Sequence, residues 1–254
     1  MSKTEIYGKL EKAFLSTLLG ELIPGAVHNF ANPLNGIMGR SKLLQRRLAN
    51  SIQKLDAMYP GFAREFAEDK ITRDINTIAT EADRLFDVFR DFAGKISTLS
   101  ANEPERINLS RMIEAEVRFA DFYLDFKHDI NKTFQIDDNS PEIIGYAADY
   151  SLCISALINS ARERMKNCPE REIFISTSHD ATHVNIMFQD TGVAISENCK
   201  KISRDTDAAF DIDVLPDAER GMCHALLLLK HYGVRMRIDA ENGRSTISLS
   251  IPYR

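Results

Sequence analysis

Seven positions between Asp69 and Leu99 decide most of what this chain can fold into. Ile71, Ile75, Ile78, Ala82, Leu85, Phe89 and Phe92 follow one another at intervals of 4, 3, 4, 3, 4 and 3. An apolar repeat of seven residues belongs to a helix packed lengthwise along another helix, not to a strand. A second seam precedes it: Val27, Phe30, Leu34, Ile37, Ser41, Leu44 and Leu48, at intervals of 3, 4, 3, 4, 3 and 4. Between them stands Pro60-Gly61, which breaks a helix. Two long helices with one turn predict an antiparallel hairpin over residues 1–100. A lone hairpin leaves apolar seam uncovered, and a twofold homodimer closing into a four-helix bundle covers it.

After Leu99 the pattern changes. The polar run around Pro104 reads as a linker over residues 101–107, and residues 108–254 read as a second domain. Helices are expected at Ser110–Phe126, Asp149–Lys166 and Met222–Tyr232. Strands are expected near Lys132–Ile136, in REIFISTS and HVNIMFQD, and in VRMRIDA and STISLSIP, the last two joined through Asn242-Gly243. Residues 196–220 are polar and read as irregular. Interleaved strands and helices of this kind predict a sheet covered by helices, so the fold class is α+β: a helical hairpin followed by an α/β sandwich.

Composition narrows the functions. The 254 residues carry 32 basic and 37 acidic side chains, net −5. That is not the footprint of a nucleic-acid binder. No apolar run approaches the roughly 20 residues that a transmembrane helix needs, and MSKTEIYGKLEK has no signal-peptide core. The four cysteines, at 153, 168, 199 and 223, show no CxxC spacing, so neither a metal knuckle nor a disulfide framework is expected. A reduced, cytoplasmic protein follows as the expectation.

The chemistry concentrates in two places. His28 lies one position past the seam residue Val27, facing away from the helix interface. Asn32, Asn35 and Gly39 continue its face at i+4, i+7 and i+11, and Pro33 interrupts the helix one turn after the imidazole. Arg40, Lys42, Arg46 and Arg47 form a basic cluster further along, suited to an acidic partner. The run HNFANPLNGIMG resembles the phospho-acceptor box of the two-component sensor histidine kinase family. His28, Asn32, Pro33, Leu34, Ile37 and Gly39 match it. Asn29 stands where that family usually has an acid serving as general base, and asparagine takes no proton at neutral pH. The resemblance implies that His28 is the phospho-acceptor, that Asn32 supports removal of phosphate, and that the partner is a response-regulator receiver domain.

The second half resembles the ATP-binding (GHKL, or Bergerat) domain of the same family, with degenerate boxes. In SALINSARERM, Asn159 and Arg162 match and Ser155 replaces an Asn. Positions 155, 159 and 162 share a helical face. An amide oxygen at Asn159 could ligate Mg²⁺, and Arg162 could meet phosphate. In FQDTGVAIS, Asp190, Gly192 and Ile195 match, the Asp implying contact with the adenine amino group, and Ala194 replaces a Gly. In GMCHALLLL, Gly221 and Leu226 match, while Cys223 and Ala225 replace glycines and place side chains where phosphate needs bare backbone. The loose stretch 196–220 corresponds to the ATP lid.

The reading is phosphotransfer through His28 to or from a response-regulator aspartate, with ATP and Mg²⁺ bound weakly or not at all. Two alternatives are an active ATP-dependent histidine autokinase and a non-enzymatic dimeric interaction module.

Overall fold

In the computed structural model the described residues are 3–17, 62–99, 101, 103–204 and 215–253, with separate helical positions between 22 and 54. The chain divides into two compact units. One is Ile23–Ala93; the other joins Met1–Leu22 to Gly94–Arg254.

The larger unit is built on a five-stranded mixed sheet. Its strands are β2 (Asn131–Gln135), β4 (Glu172–His179), β5 (His183–Asp190), β6 (Arg235–Glu241) and β7 (Arg244–Pro252), in the order β2-β4-β5-β7-β6. β2 runs parallel to β4 and every other pair is antiparallel. Strict alternation makes these strands. In β5, Val184, Ile186, Phe188 and Asp190 turn inward, and in β7, Ser245, Ile247, Leu249 and Ile251 do so. The other face is mixed, with Ser176, Asn185, Ser248 and Ser250 beside Phe174 and Met187. Asp180 closes the β4–β5 turn by accepting from the amides of Thr182 (2.8 Å) and His183 (2.9 Å), which holds its carboxyl well below the usual range. Asn242 and Gly243, at φ 52° and 73°, form the two-residue turn between β6 and β7.

The inward face of the sheet is covered by helices. α1 is Lys3–Thr17, α2 is Phe62–Leu99, of which only Gly94–Leu99 belongs to this unit, and α3 (Leu109–Ala120) and α4 (Leu124–Asp129) follow. α5 (Ala147–Met165), α6 (Glu197–Arg204) and α7 (Asp217–Lys230) complete the set. α5 is buried almost all round, from Ala147 to Met165. β1 (Glu105–Asn108) and β3 (Glu142–Gly145) pair antiparallel as a separate ribbon. Asn108 caps α3, accepting from the Arg111 amide at 3.0 Å and donating to the Ser140 carbonyl at 3.0 Å.

Several expectations are corrected. The helix expected over Ser110–Phe126 is two helices, broken at Asp121–Tyr123. The break lets Phe119, Phe122, Tyr123 and Phe126 all reach the interior, and Lys132 stitches it by bonding Asp121 Oδ1 (2.7 Å) and the Phe126 carbonyl (3.1 Å). The stretch read as a linker contains β1. The stretch read as irregular contains α6, which starts at Glu197 and buries Cys199 and Ile202. Cys199 and Cys223 are joined as a disulfide with Cα atoms 6.1 Å apart, because α6 lies against α7. Finally, α1 is part of the larger unit. Its Ile6 and Leu10, one turn apart, are buried where it packs on α7 and α5. Leu10→Ala should therefore lower the unfolding free energy by about 2–5 kcal/mol, read by urea denaturation. An unchanged midpoint would show that α1 contributes nothing to this unit.

Candidate functional site

His28, the expected acceptor, lies outside the described residues, as do Val27, Leu34, Ser41, Leu48 and Pro60-Gly61. Around it, Asn29 is buried, while Asn32, Asn35 and Gly39 are exposed at helical positions. That exposure agrees with an outward polar stripe. Part of the basic cluster is committed within the smaller unit: Arg40 and Arg47 both pair with the buried carboxylate of Asp74. Lys42 and Arg46 are exposed. Phe30 meets Phe92 edge to face at 6.3 Å between ring centroids.

In the larger unit, α5 carries the residues expected to face a nucleotide. Ser155 is bound instead into a buried polar knot. The Lys95 ammonium, from the last turns of α2, shares its three N–H groups among four oxygens within hydrogen-bond distance: Glu116 Oε1 (2.8 Å) and Oε2 (2.6 Å), Ser151 Oγ (2.7 Å) and Ser155 Oγ (2.7 Å). The two serines each donate to one Glu116 oxygen at 2.6 Å. Burial pushes the Lys95 ammonium pKa down, and Glu116 works against that shift. Arg162 is similarly committed. It bonds Asp125 Oδ1 (3.0 Å) and Oδ2 (3.3 Å), pairs with Glu163, lies 3.9 Å from the Tyr123 ring centroid and donates to Asn159 Oδ1 at 3.1 Å.

Asp190 lies at the inward end of β5, 2% exposed. Its Oδ2 is paired with Arg164, which also donates to the Val193 carbonyl at 3.1 Å, and its Oδ1 accepts the Gly192 amide at 2.9 Å. Burial pushes this carboxyl up, and Arg164 pulls it back. Gly192 is required here: a Cβ would meet Arg164 Cβ and Asp190 Oδ1, each at 2.8 Å. Ile195 is buried two residues beyond Val193.

α7 begins at Asp217, five residues earlier than the sequence suggested, so Gly221 is inside the helix and its amide belongs to the helical ladder. The first turn holds Asp217 and Glu219, acids that already satisfy the positive end of the helix. Cys223 and Ala225 are fully buried, Cys223 against α6 and Ala225 against α5, where its carbonyl accepts from Cys153 Sγ at 3.5 Å.

What these elements enclose is a cavity of about 430 Å³ between α1, α3, α5 and α7. Phe14 and Leu10 of α1 line it opposite Ser155, Asn159 and Gly221. The structure thus brings Asn159 and Gly221 together and leaves Asp190 in a separate buried pair. A magnesium nucleotide does not fit these residues. The arginine for its phosphates is neutralised, the carboxylate for its adenine is ion-paired, and the helix start is acidic. Among the described residues no cluster of three His, Cys, Asp or Glu could hold a metal, and no helix is long and apolar enough to cross a membrane. Sequence reading missed Lys95, Glu116, Asp125 and Arg164. The only sign of the last was a second arginine close to Arg162 in an otherwise apolar helix.

Since Arg164 and Asp190 are almost wholly buried, Arg164→Met should destabilise the fold by about 3–5 kcal/mol, the cost of leaving a buried partner charge uncompensated. Thermal unfolding of the variant reads this. A melting temperature like that of the parent would return Asp190 to the role of a ligand-facing group.

The sequence matches no family model and no curated protein. Among solved structures, the nucleotide-free catalytic domain of the histidine kinase ThkA has 17% identity and a TM-score of 0.49, covering 59% of this chain and 98% of its own. The Acinetobacter baumannii histidine kinase AdeS has 13% identity and a TM-score of 0.46, covering 85% and 95%. ThkA in complex with the response regulator TrrA has 17% identity and a TM-score of 0.45, covering 100% and 68%. The solved structures to which this chain is similar include several histidine kinase catalytic domains.

Proposed function

We propose that this chain is a phosphotransfer protein of two-component signalling. Residues 23–93 supply a dimer-forming helical hairpin with His28 as acceptor, and residues 94–254 together with 1–22 form a GHKL-like module that does not depend on ATP. The observation that carries this reading is the run HNFANPLNG, with Asn32 exposed one turn after His28. Contacts within the smaller unit support the hairpin. Phe30 meets Phe92, Gly36 faces Glu81, and Arg40 reaches Asp74, so one index rises as the other falls. Charge supports the donor: Lys42 and Arg46 are exposed beside this helix face, suited to an acidic receiver.

In the forward step a receiver aspartyl phosphate gives up its phosphoryl group to a His28 ring nitrogen. The P–O bond breaks as the P–N bond forms, and the carboxylate leaves. The reverse step recharges a receiver. Asn32 is placed to orient water when the phosphate is to be lost instead. The autokinase alternative requires a nucleotide site, and the groups that would form it are paired within the chain.

A receiver charged with acetyl phosphate should transfer acid-labile phosphate to the full chain. His28→Gln should abolish the transfer and leave the oligomeric state unchanged. Undiminished transfer to the variant would remove the assignment. The homodimer has its own test. Ile78 and Leu85 are half-buried within one chain, as a seam awaiting a second copy would be. Replacing both with Asp places charges in that seam and should convert a dimer into a monomer by sedimentation. A parent chain that sediments as a monomer at micromolar concentration would end the bundle reading.

A further inference from the structure

The Lys95 knot has a chemical meaning beyond stability. Four oxygens converge on one positive charge at 2.6–2.8 Å: both oxygens of Glu116 and the hydroxyls of Ser151 and Ser155. Oxygen-only coordination with a carboxylate is the donor set of a hard divalent cation. Ser151, Ser155 and Asn159 stand one helical turn apart along a single face of α5. Glu116, Ser155 and Asn159 all border the 430 Å³ cavity, so the knot sits at the wall of a space that a small ion could enter. Lys95 is 4% exposed at its side chain, as is Glu116, and the ammonium has no other acidic partner among the described residues. Phe14 and Phe119 face it at 5.1 and 5.5 Å from their ring centroids and close the remaining sides.

We propose that the Lys95 ammonium is the resident cation of this site, held by the oxygens that would otherwise bind a divalent metal. The chain carries its cation covalently, and its helices α2, α3 and α5 are joined without any metal. This holds whether or not His28 carries phosphate. The ligand geometry also sets what happens when the ammonium is removed. Glu116 and the two serines then surround a cavity holding an uncompensated carboxylate, which a hard divalent ion with its waters satisfies. Asn159, one turn beyond Ser155, shares the face, but its amide oxygen is already taken by Arg162 and it lies outside the set.

The test uses the full chain and Mn²⁺ as the probe, with bound and free metal separated by electron paramagnetic resonance and the melting temperature recorded in EDTA and in Mg²⁺. The parent should show no stoichiometric Mn²⁺ site and the same melting temperature in both media. Lys95→Ala should melt lower in EDTA, recover in Mg²⁺ or Mn²⁺, and bind one Mn²⁺ per chain at least about tenfold more tightly than the parent, equivalent to about 1.4 kcal/mol. The double variant Lys95→Ala/Glu116→Gln should lose both the recovery and the Mn²⁺. Should Lys95→Ala fail to fold in EDTA, recovery of its circular dichroism on adding the metal reads the same exchange. The proposal is overturned by one Mn²⁺ per chain on the parent, or by Lys95→Ala that gains neither stability nor structure from either metal.

Discussion

Three helices of the larger unit meet on one buried ion pair, Lys95 with Glu116. Taking two charges out of water is costly, and their attraction offsets that cost only when every remaining donor and acceptor is satisfied. Here Ser151 and Ser155 supply what the pair lacks. Each hydroxyl donates to one carboxylate oxygen and accepts from the ammonium, so no polar atom of the knot is left without a partner. The side chains come from α2, α3 and α5. The pair therefore fixes the end of α2 to the helical layer over the sheet, and removing either half leaves the other stranded. Ser155 is short because a longer amide at that position would compete with the ammonium for the same space.

The same solution appears at two other points. Arg164 answers Asp190, and Arg162 is divided between Asp125, Glu163 and Asn159. In each case a charged group that the sequence pattern assigned to a ligand is turned to another part of the chain. The consequences reach beyond packing. A polyphosphate entering the cleft would find no uncommitted arginine at Arg162 and would face the acids of the α7 first turn. An adenine would have to compete with a guanidinium for Asp190. Residues that retain the letters of a nucleotide-binding pattern here hold their own protein together.

Much of this architecture was legible in the order of residues. β4, β5 and β7 announce themselves because one face is buried and the other is not, so alternation runs through six to nine residues. Asn242-Gly243 marks its turn because both positions need positive φ. β1 and β3 escaped notice since each is four residues long and buries little more than Ile107 or Ile143, too few to show a period. α6 escaped because eight residues of charged helix resemble a loop. The pairing of Cys199 with Cys223 depends on α6 lying against α7, and a spacing of 24 residues says nothing of that. The site residues divide along the same line. Asn159 and Gly221 were found by their motifs and do line the cavity. Lys95 was not found. It lies three residues beyond the seam residue Phe92, where the heptad pattern expects nothing particular, and its partners are 21, 56 and 60 residues away.

A covalent cation and a bound one differ in kind. A metal stabilises a fold by mass action, so its contribution rises and falls with the free ion. An ammonium has no such equilibrium: it is present at full occupancy in every molecule for as long as it stays protonated. On the proposed function, exchange of a phosphoryl group between His28 and a receiver, the larger unit has no catalytic use for magnesium or ATP. What it needs is a fixed attachment between the end of α2 and the helical layer above the sheet. A lysine provides that attachment under every metal and nucleotide concentration. With Lys95 holding Glu116 and the two serines, Arg162 and Asp190 likewise serve as partners within the chain.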